Sequence, residues 1–207
     1  MKCSWMPRLL SGLAIVAASS LVACGGGKAS GADPKTGGDD TSDGTDTDGG
    51  TDGGTDGGDA AEGNEVGSKA PELGGEYVMG DGPKTLADGT GQIVIVDFWA
   101  TWCEPCGKSF PKYQELVDKH AGNLAVIAVS VDDPDESMDT LKDFANEHGV
   151  SFTILWDKDK TIAPKYDPQK MPTSFIVDKE GIIRHIHPGF EGGEEAEIDA
   201  EVTALLE

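Results

Sequence analysis

Apolar residues in the second half of the chain follow the spacing of buried strands. Two runs, 92–99 and 124–131, are almost continuously apolar and rich in β-branched residues. Such runs are typical of strands that are buried on both faces. Shorter extended segments are predicted at 75–79 and 152–155. The chain therefore contains the elements of a central sheet.

Helical spacing alternates with these strands. The predicted helices have the following apolar positions: Phe110, Tyr113, Leu116 and Val117, with Pro111 as a kink, in the first; Met138, Leu141, Phe144 and Ala145 in the second; Ile198, Val202, Leu205 and Leu206 in the last. Asp133 or Asp135 is expected to cap the second helix. Segments 174–177 and 182–186 flank a turn sequence and predict a hairpin. Alternating strands and helices followed by a hairpin and a helix predict an α/β fold with a mixed sheet.

The N-terminus has the pattern of a secretory signal, residues 1–23. Lys2 and Arg8 precede an apolar run at 9–21, which is too short to span a bilayer comfortably. The run ends in LVAC at 21–24, which resembles the bacterial lipobox. This resemblance implies cleavage before Cys24 and lipidation of its thiol; the alternative is an ordinary cleaved signal with an incidental cysteine.

Residues 24–68 form a predicted linker between this anchor and the rest of the chain. The segment is rich in Gly, Asp and Thr and has no large apolar residue before Val66, so we expect it to be disordered. Calcium binding by a Gly/Asp repeat is the alternative, but such repeats need an apolar residue in each turn. The folded domain is expected to span 69–207.

The charge of the chain excludes one class of partner. The net charge is −22, whereas nucleic-acid binding needs clustered Lys and Arg. The acidity favours solubility, with selection of basic partners as the alternative. The four cysteines are too few for a disulfide scaffold, so each is interpreted from its surroundings.

Two cysteines, Cys103 and Cys106, follow a predicted buried strand and begin a predicted helix. The positive end of a helix dipole and its free N–H groups favour a thiolate. We therefore expect Cys103 to be the attacking thiol and Cys106 the resolving one, joined in a redox disulfide. Half of a zinc site is the alternative, but it needs two more ligands. The close pair His185 and His187 is expected to form a surface face and a turn, and no metal is predicted.

Two motifs resemble the thioredoxin superfamily. The segment 96–106, VDFWATWCEPC, is similar to its active-site segment and most similar to the TlpA/ResA-like, membrane-attached branch. The segment 171–178, MPTSFIVD, is similar to its cis-proline strand. The resemblance covers about 69–207. It implies a thioredoxin fold, with a mixed central sheet flanked by helices, an N-terminal extension and an inserted helix and strand at 135–155.

The resemblance also implies how a substrate binds. The Met171–Pro172 bond would be cis and face the cysteines, the proline would keep metal off the thiols, and the Met171 backbone would pair with an extended substrate. The residues expected to bind substrate are Trp102, Pro105, Met171, Pro172 and Thr173.

Two carboxyl groups are expected to act on the cysteines. Asp97 lies in an otherwise apolar run, where burial would raise its pKa, and it matches the buried acid of thioredoxins that helps to deprotonate the second cysteine. A partly exposed aspartate at the strand end is the alternative. Related ResA-like proteins often carry Glu where this chain has Ser109. Glu104 lies between the cysteines, and its charge opposes ionisation of Cys103, which favours a reductant.

The predicted function is an exported, lipid-anchored thiol–disulfide oxidoreductase that reduces disulfides in envelope proteins and needs no cofactor. Its expected partners are disulfide-bearing envelope proteins and an integral-membrane thiol donor. By family analogy, the substrates could be apocytochromes c. Lipid on Cys24 is expected to attach the protein to the membrane. We expect a monomer, lipid-anchored in the cell envelope. In a Gram-negative host it would face the periplasm, and the resemblance to lipoproteins, in which a residue other than Asp after the lipidated cysteine goes with the outer membrane, implies that membrane, because Gly25 follows Cys24.

Alternatives remain open. A disulfide oxidant or isomerase would share the fold. A Sco-like copper chaperone needs three residues between its cysteines and a distant His. A peroxiredoxin would need Pro and Thr where Val96 and Ala100 stand. A redox-inert display lipoprotein would have no use for the two cysteines.

Overall fold

The computed structural model describes residues 60–207. Strands and helices alternate along this part of the chain, as the hydrophobic pattern predicts. The strands are β1 (Glu76–Met79), β2 (Ile93–Trp99), β3 (Leu124–Ser130), β4 (Thr153–Trp156), β5 (Thr173–Val177) and β6 (Ile183–Pro188). The helices are α1 (Glu104–Lys119), α2 (Met138–Glu147), α3 (Ala163–Tyr166) and α4 (Glu194–Leu206).

The strands form one mixed sheet in the order β1-β4-β3-β2-β5-β6. Strands β2, β3 and β4 are parallel, and β1, β5 and β6 each run antiparallel to their neighbours. The hairpin of β5 and β6 is the one that the turn sequence at 178–181 predicts. The parallel strands place their carboxyl ends at one edge of the sheet, and α1 with its two cysteines follows β2 at that edge.

The core has two parts, one on each face of the sheet. Alternate side chains of the strands pack on one face against α1, α2 and α4, and the others pack against α3 and the segment before β1. Every residue of β2 and β3 is buried, which confirms the prediction of strands covered on both sides.

Two local predictions differ from the structure. Neither Asp133 nor Asp135 caps α2: the N-cap is Ser137, whose hydroxyl accepts the Thr140 N–H at 3.2 Å. Asp133 instead accepts the Asp135 N–H in the preceding turn. The short helix α3 was not predicted, because four residues are too few to show helical spacing in the sequence.

The folded part of the chain begins before Lys69. The Gly67 N–H donates to the Ile183 carbonyl at 2.8 Å, and Lys69 bridges to Ile182 at the start of β6. The Asn64 side chain donates to the Tyr166 carbonyl. These contacts use mainly backbone groups, and for that reason composition gave no sign of them.

Several predictions concern residues outside 60–207. The signal at 1–23, lipidation of Cys24 and most of the linker at 24–68 all lie outside the described residues. Within residues 60–207, no helix is long and apolar enough to cross a membrane.

Candidate active site

Cys103 and Cys106 lie where β2 passes into α1. They form a disulfide with an S–S distance of 2.02 Å and a Cα–Cα distance of 5.3 Å. Cys103 is the N-cap of α1, and its Sγ accepts the N–H of Cys106 at 3.2 Å. Pro105 lies in the first turn, where its fixed φ suits a helix and its missing N–H is not needed. The sulfur of Cys103 is thus held at the positive end of a helix, where a thiolate is favoured.

The surface around the disulfide makes the two cysteines unequal. Cys106 is fully buried and Cys103 is 4% exposed, while the neighbouring Trp102 is 69% exposed. A shallow groove of about 430 Å³ lies on each side of Trp102 and Cys103; Pro105, Gln169 and Met171 line one, and Phe144 and His148 line the other. An incoming sulfur can therefore approach Cys103 and not Cys106.

The second motif lies beside this surface. The Met171–Pro172 bond is cis, as the resemblance implies, and Met171 lines the same groove as Cys103. The Pro172 carbonyl accepts the N–H of Gly189 at 2.7 Å. Pro172 and Thr173 are buried, and the Thr173 hydroxyl donates to the Lys170 carbonyl. Of the predicted substrate-binding residues, Trp102, Pro105 and Met171 therefore reach the groove surface with their side chains, whereas the Thr173 hydroxyl is already used within the protein.

Asp97 is fully buried on β2. One carboxyl oxygen, Oδ1, accepts a hydrogen bond from Ser174 Oγ at 2.7 Å, and the other, Oδ2, has no hydrogen-bond partner among the described residues. Burial raises the pKa of Asp97 to about 8, and the bond from Ser174 partly offsets this rise. The predicted burial and raised pKa are both present. A carboxyl group with this pKa can exchange a proton at neutral pH.

The loop that carries Trp102 is held by Asp132, a residue that sequence reasoning missed. Its carboxylate accepts the N–H of Thr101 at 3.0 Å, the hydroxyl of Thr101 at 2.6 Å and the hydroxyl of Ser130 at 2.7 Å. Asp132 is 2% exposed. A single sequence gives no signal for this role, because the two ends of the contact lie 31 residues apart.

Glu104 lies on the surface beside Cys103 and is paired with a cation. Its carboxylate contacts Lys108 Nζ at 2.8 Å, one helical turn along α1, and this hydrogen bond lowers the pKa of Glu104. The positive charge of Lys108 therefore offsets the effect that Glu104 was expected to have on Cys103. Ser109 is buried and donates to the Cys106 carbonyl at 3.1 Å, so it bonds within the helix.

The expectation that His185 and His187 form a surface face and a turn was wrong for His187. His187 is within β6 and 8% exposed. Its ring nitrogens contact Glu194 at 3.3 Å and Glu201 at 2.7 Å, and His185 also contacts Glu201, at 2.9 Å. The terminal helix covers this strand, which alternation alone does not reveal. Among residues 60–207, no group of three or more His, Cys, Asp or Glu is placed to hold a metal ion.

Comparisons with known proteins show what this chain is similar to. The model of the AhpC/TSA family matches residues 66–186. Thioredoxin-like protein YneN of Bacillus subtilis is 35% identical over 127 residues, covering 61% of this chain and 74% of that protein. Thiol-disulfide oxidoreductase ResA of Bacillus thuringiensis is 36% identical over 123 residues, covering 58% of this chain and 67% of that protein.

A solved structure shows the same architecture. The crystal structure of a Chlorobium tepidum protein assigned as thiol:disulfide interchange protein DsbE superposes with a TM-score of 0.61 at 31% identity. The match covers 69% of this chain and 99% of that chain. The predicted thioredoxin-like fold is therefore confirmed, as is the prediction of a thiol–disulfide oxidoreductase.

Proposed function

The chain belongs to the AhpC/TSA family of thioredoxin-like proteins, and from this premise we propose that it reduces disulfides in partner proteins by exchange with Cys103 and Cys106. The observation that carries the proposal is the disulfide at the N-terminus of α1, with Cys103 beside an exposed tryptophan and a groove. A reactive sulfur at the surface and a buried second sulfur are what successive attack and resolution require.

The first step forms a bond between two proteins. With the pair reduced, the Cys103 thiolate attacks one sulfur of the partner disulfide. The partner S–S bond breaks, a mixed disulfide forms, and the other partner sulfur leaves as a thiolate. The grooves beside Trp102 and Met171 hold the partner chain, and the cis peptide bond before Pro172 presents the Met171 backbone to it.

The second step releases the partner. The Cys106 thiol transfers its proton to Asp97, and the resulting thiolate attacks Cys103 Sγ. The mixed disulfide breaks, the Cys103–Cys106 disulfide forms, and the partner leaves with two electrons gained. The raised pKa of Asp97, about 8, supports this role, because a base works best when its pKa is near the working pH. The Glu104 charge contributes little to the direction of electron flow, because Lys108 pairs with it.

A second thiol donor closes the cycle. An integral-membrane dithiol re-reduces Cys103 and Cys106, so no cofactor enters the reaction. Disulfide-bearing proteins of the cell envelope are the substrates, with the haem-binding cysteines of apocytochrome c as one candidate.

The N-terminal sequence motifs support a location at the membrane. Residues 1–23 serve as the signal, Cys24 carries the lipid, and 24–68 connects the lipid to the domain of a monomer. We expect Cys24→Ser to remove the protein from the membrane fraction of the cells that produce it, while a variant with the linker lysine Lys28→Ala stays there.

A trapping experiment tests the exchange. The Cys106→Ser variant, mixed with a fluorescent peptide that contains one intramolecular disulfide, should accumulate a mixed disulfide that dithiothreitol releases. Cys103→Ser is the matched control and should trap nothing. Trapping by Cys103→Ser at the level of Cys106→Ser would contradict the assigned order of attack.

The reduction potential tests the direction. A value of about −270 mV or lower supports a reductant. A value of about −120 mV, typical of a strong disulfide oxidant, would show that electrons flow in the opposite direction, from the partner to Cys103 and Cys106.

A further inference from the structure

Asp97 is the last member of a buried chain of hydrogen bonds that begins on α1. Tyr113 Oη lies 2.5 Å from Ser174 Oγ, and Ser174 Oγ donates to Asp97 Oδ1 at 2.7 Å. All three residues are fully buried. Ser174 is directly opposite Asp97 in the pairing of β5 with β2, so the short hydroxyl side chain bridges neighbouring strands.

The direction of both hydrogen bonds follows from counting hydrogens. A serine hydroxyl has one hydrogen, and Ser174 donates it to Asp97. Ser174 can therefore only accept from Tyr113, which becomes the donor at the start of the chain. Both hydrogens point toward the Asp97 carboxyl group, which leaves Oδ2 as the oxygen without a partner.

The Asp97 side chain lies on the side of the sheet that α1 covers, because Ile95 and Trp99, two residues to either side of it on β2, pack in the same cluster as α1. Tyr113 and Cys106 are seven residues apart on α1, both fully buried, and therefore on the same face of the helix two turns apart. The face of α1 that presents Tyr113 to Ser174 thus also presents the Cys106 sulfur to the sheet.

We propose that Ser174 and Tyr113 are positioning residues that fix the Asp97 carboxyl group through Oδ1, so that Oδ2 remains the oxygen that exchanges a proton with Cys106. This inference rests on the proposed function, in which Asp97 accepts the Cys106 proton. The two hydroxyl groups touch neither the disulfide nor the partner; they act through Asp97.

The other ionisable groups near the hydrogen bonds of Tyr113, Ser174 and Asp97 lie on α4 and β6. From α4, Glu194 raises the pKa of the Tyr113 hydroxyl, as burial and Asp97 also do, burial being the largest cause. On β6, His187 is paired with Ser174 in the sheet register and contacts Glu194 and Glu201. On the other side of β2, Asp97 faces the uncharged Ala128. Ser174 is therefore the group that donates to the buried carboxyl group, and Tyr113 in turn donates to Ser174.

The sign of the effect follows from what the donors stabilise. Hydrogen bonds to a carboxylate favour its charged form and lower its pKa. Without the Ser174 hydroxyl, the pKa of Asp97 rises further, so the resolving step needs a higher pH. We expect Ser174→Ala to move the inflection of the resolving rate upward by about one pH unit, a tenfold change in proton affinity.

The test uses the full-length protein with a preformed mixed disulfide, and measures the rate of its resolution against pH. Ser174→Ala should shift the inflection upward, Tyr113→Phe should shift it upward by less, and Ser174→Thr should restore it because the hydroxyl returns. Thr153→Val is the matched control: it removes another buried strand hydroxyl, one that has no hydrogen-bond partner among residues 60–207, and should leave the inflection in place.

Asp97→Asn separates the two proposals. Suppose that Asp97→Asn abolishes the pH inflection of the resolving rate, while Ser174→Ala and Tyr113→Phe keep the inflection of the wild type. The positioning proposal is then wrong and the proposed function stands. If the inflection survives in Asp97→Asn, Asp97 is not the base and the second step of the cycle is wrong. Should Ser174→Ala fail to fold, the pH inflection of Tyr113→Phe, which keeps the aromatic ring, tests the positioning proposal by itself. The infrared stretch of the protonated carboxyl group, followed against pH in the oxidised protein, gives a readout independent of turnover.

Discussion

Two buried aspartates lie near the carboxyl ends of adjacent parallel strands, and they differ in how their oxygens are used. Asp132, just after β3, accepts a backbone N–H and two hydroxyl hydrogens. Asp97, on β2, accepts one hydroxyl hydrogen through Oδ1, and its Oδ2 has no partner among residues 60–207. Both residues are at most 2% exposed.

The difference assigns each aspartate to a different task. A buried carboxylate with several donors is stabilised as an anion and can hold a loop in place. A buried carboxyl group with one donor is close to the balance between its charged and neutral forms, because the cost of desolvation is only partly offset. We infer that the number of donors, rather than burial itself, separates the structural aspartate from the reactive one.

The largest expected effect is on stability and comes from Asp97→Asn. The pKa of Asp97 is about 8 in the folded protein and about 3.9 when unfolded. Between these values the unfolded state binds fewer protons, so the free energy of unfolding falls as pH rises, by about 1.4 kcal/mol per pH unit. This contribution is absent below pH 4 and complete above pH 8. Asp97→Asn removes it, so the variant should gain several kcal/mol over the wild type between those limits.

Urea unfolding of the oxidised protein at a series of pH values measures this difference. The curves of wild type and Asp97→Asn should diverge steadily from pH 4 to pH 8. Parallel curves would mean that Asp97 ionises at its ordinary pKa, and its contrast with Asp132 would lose its basis.

The next effect is opposite in sign and comes from Asp132→Ala. Removing this carboxylate leaves the Thr101 N–H and two hydroxyl groups without their acceptor, which should lower the free energy of unfolding by about 2–3 kcal/mol. The pH inflection of the resolving step should stay where it is. Asp133→Ala is the matched control, because Asp133 is the adjacent, exposed aspartate and accepts one N–H, from Asp135. An equal loss of stability in both variants would refute a special role for Asp132.

The smallest effect belongs to an exposed carboxylate. Glu104→Gln removes a charge that is adjacent to Cys103 in sequence but on the surface and paired with Lys108. The equilibrium constant of Cys103/Cys106 with glutathione should shift toward the reduced pair by less than about twofold, because solvent screens exposed charges. Lys108→Gln should shift it as little in the other direction. A tenfold change, about 30 mV, would show that proximity matters more than burial.

The sequence predicted well what local patterns encode. Continuous apolar runs predicted β2 and β3, the turn sequence predicted the hairpin, and the position of the two cysteines predicted the start of α1. Asp97 stood out because a charged residue interrupts an apolar run. In each of these cases the signal lies within a few neighbouring residues.

Contacts between distant residues were not predictable in this way. Ser174 lies 77 residues from Asp97 and 61 from Tyr113, so their hydrogen bonds exist only once the sheet is assembled. His187 is buried because α4 returns over β6. The start of the folded domain was placed late for the same reason: residues before Lys69 bond to β6, which is more than a hundred residues further along.

The contact of residues before Lys69 with β6 places the start of the domain and the disulfide at opposite ends of the sheet. Residues 67–69 bond to the chain at the start of β6. There Ile183 pairs with Val177 of β5, and Val177 pairs with Val94 near the start of β2. Cys103 follows the other end of β2, about 17 Å farther along the strand. Residues 67–69 therefore lie at the end of the domain opposite the disulfide, and they leave the surface around Cys103 free for a partner.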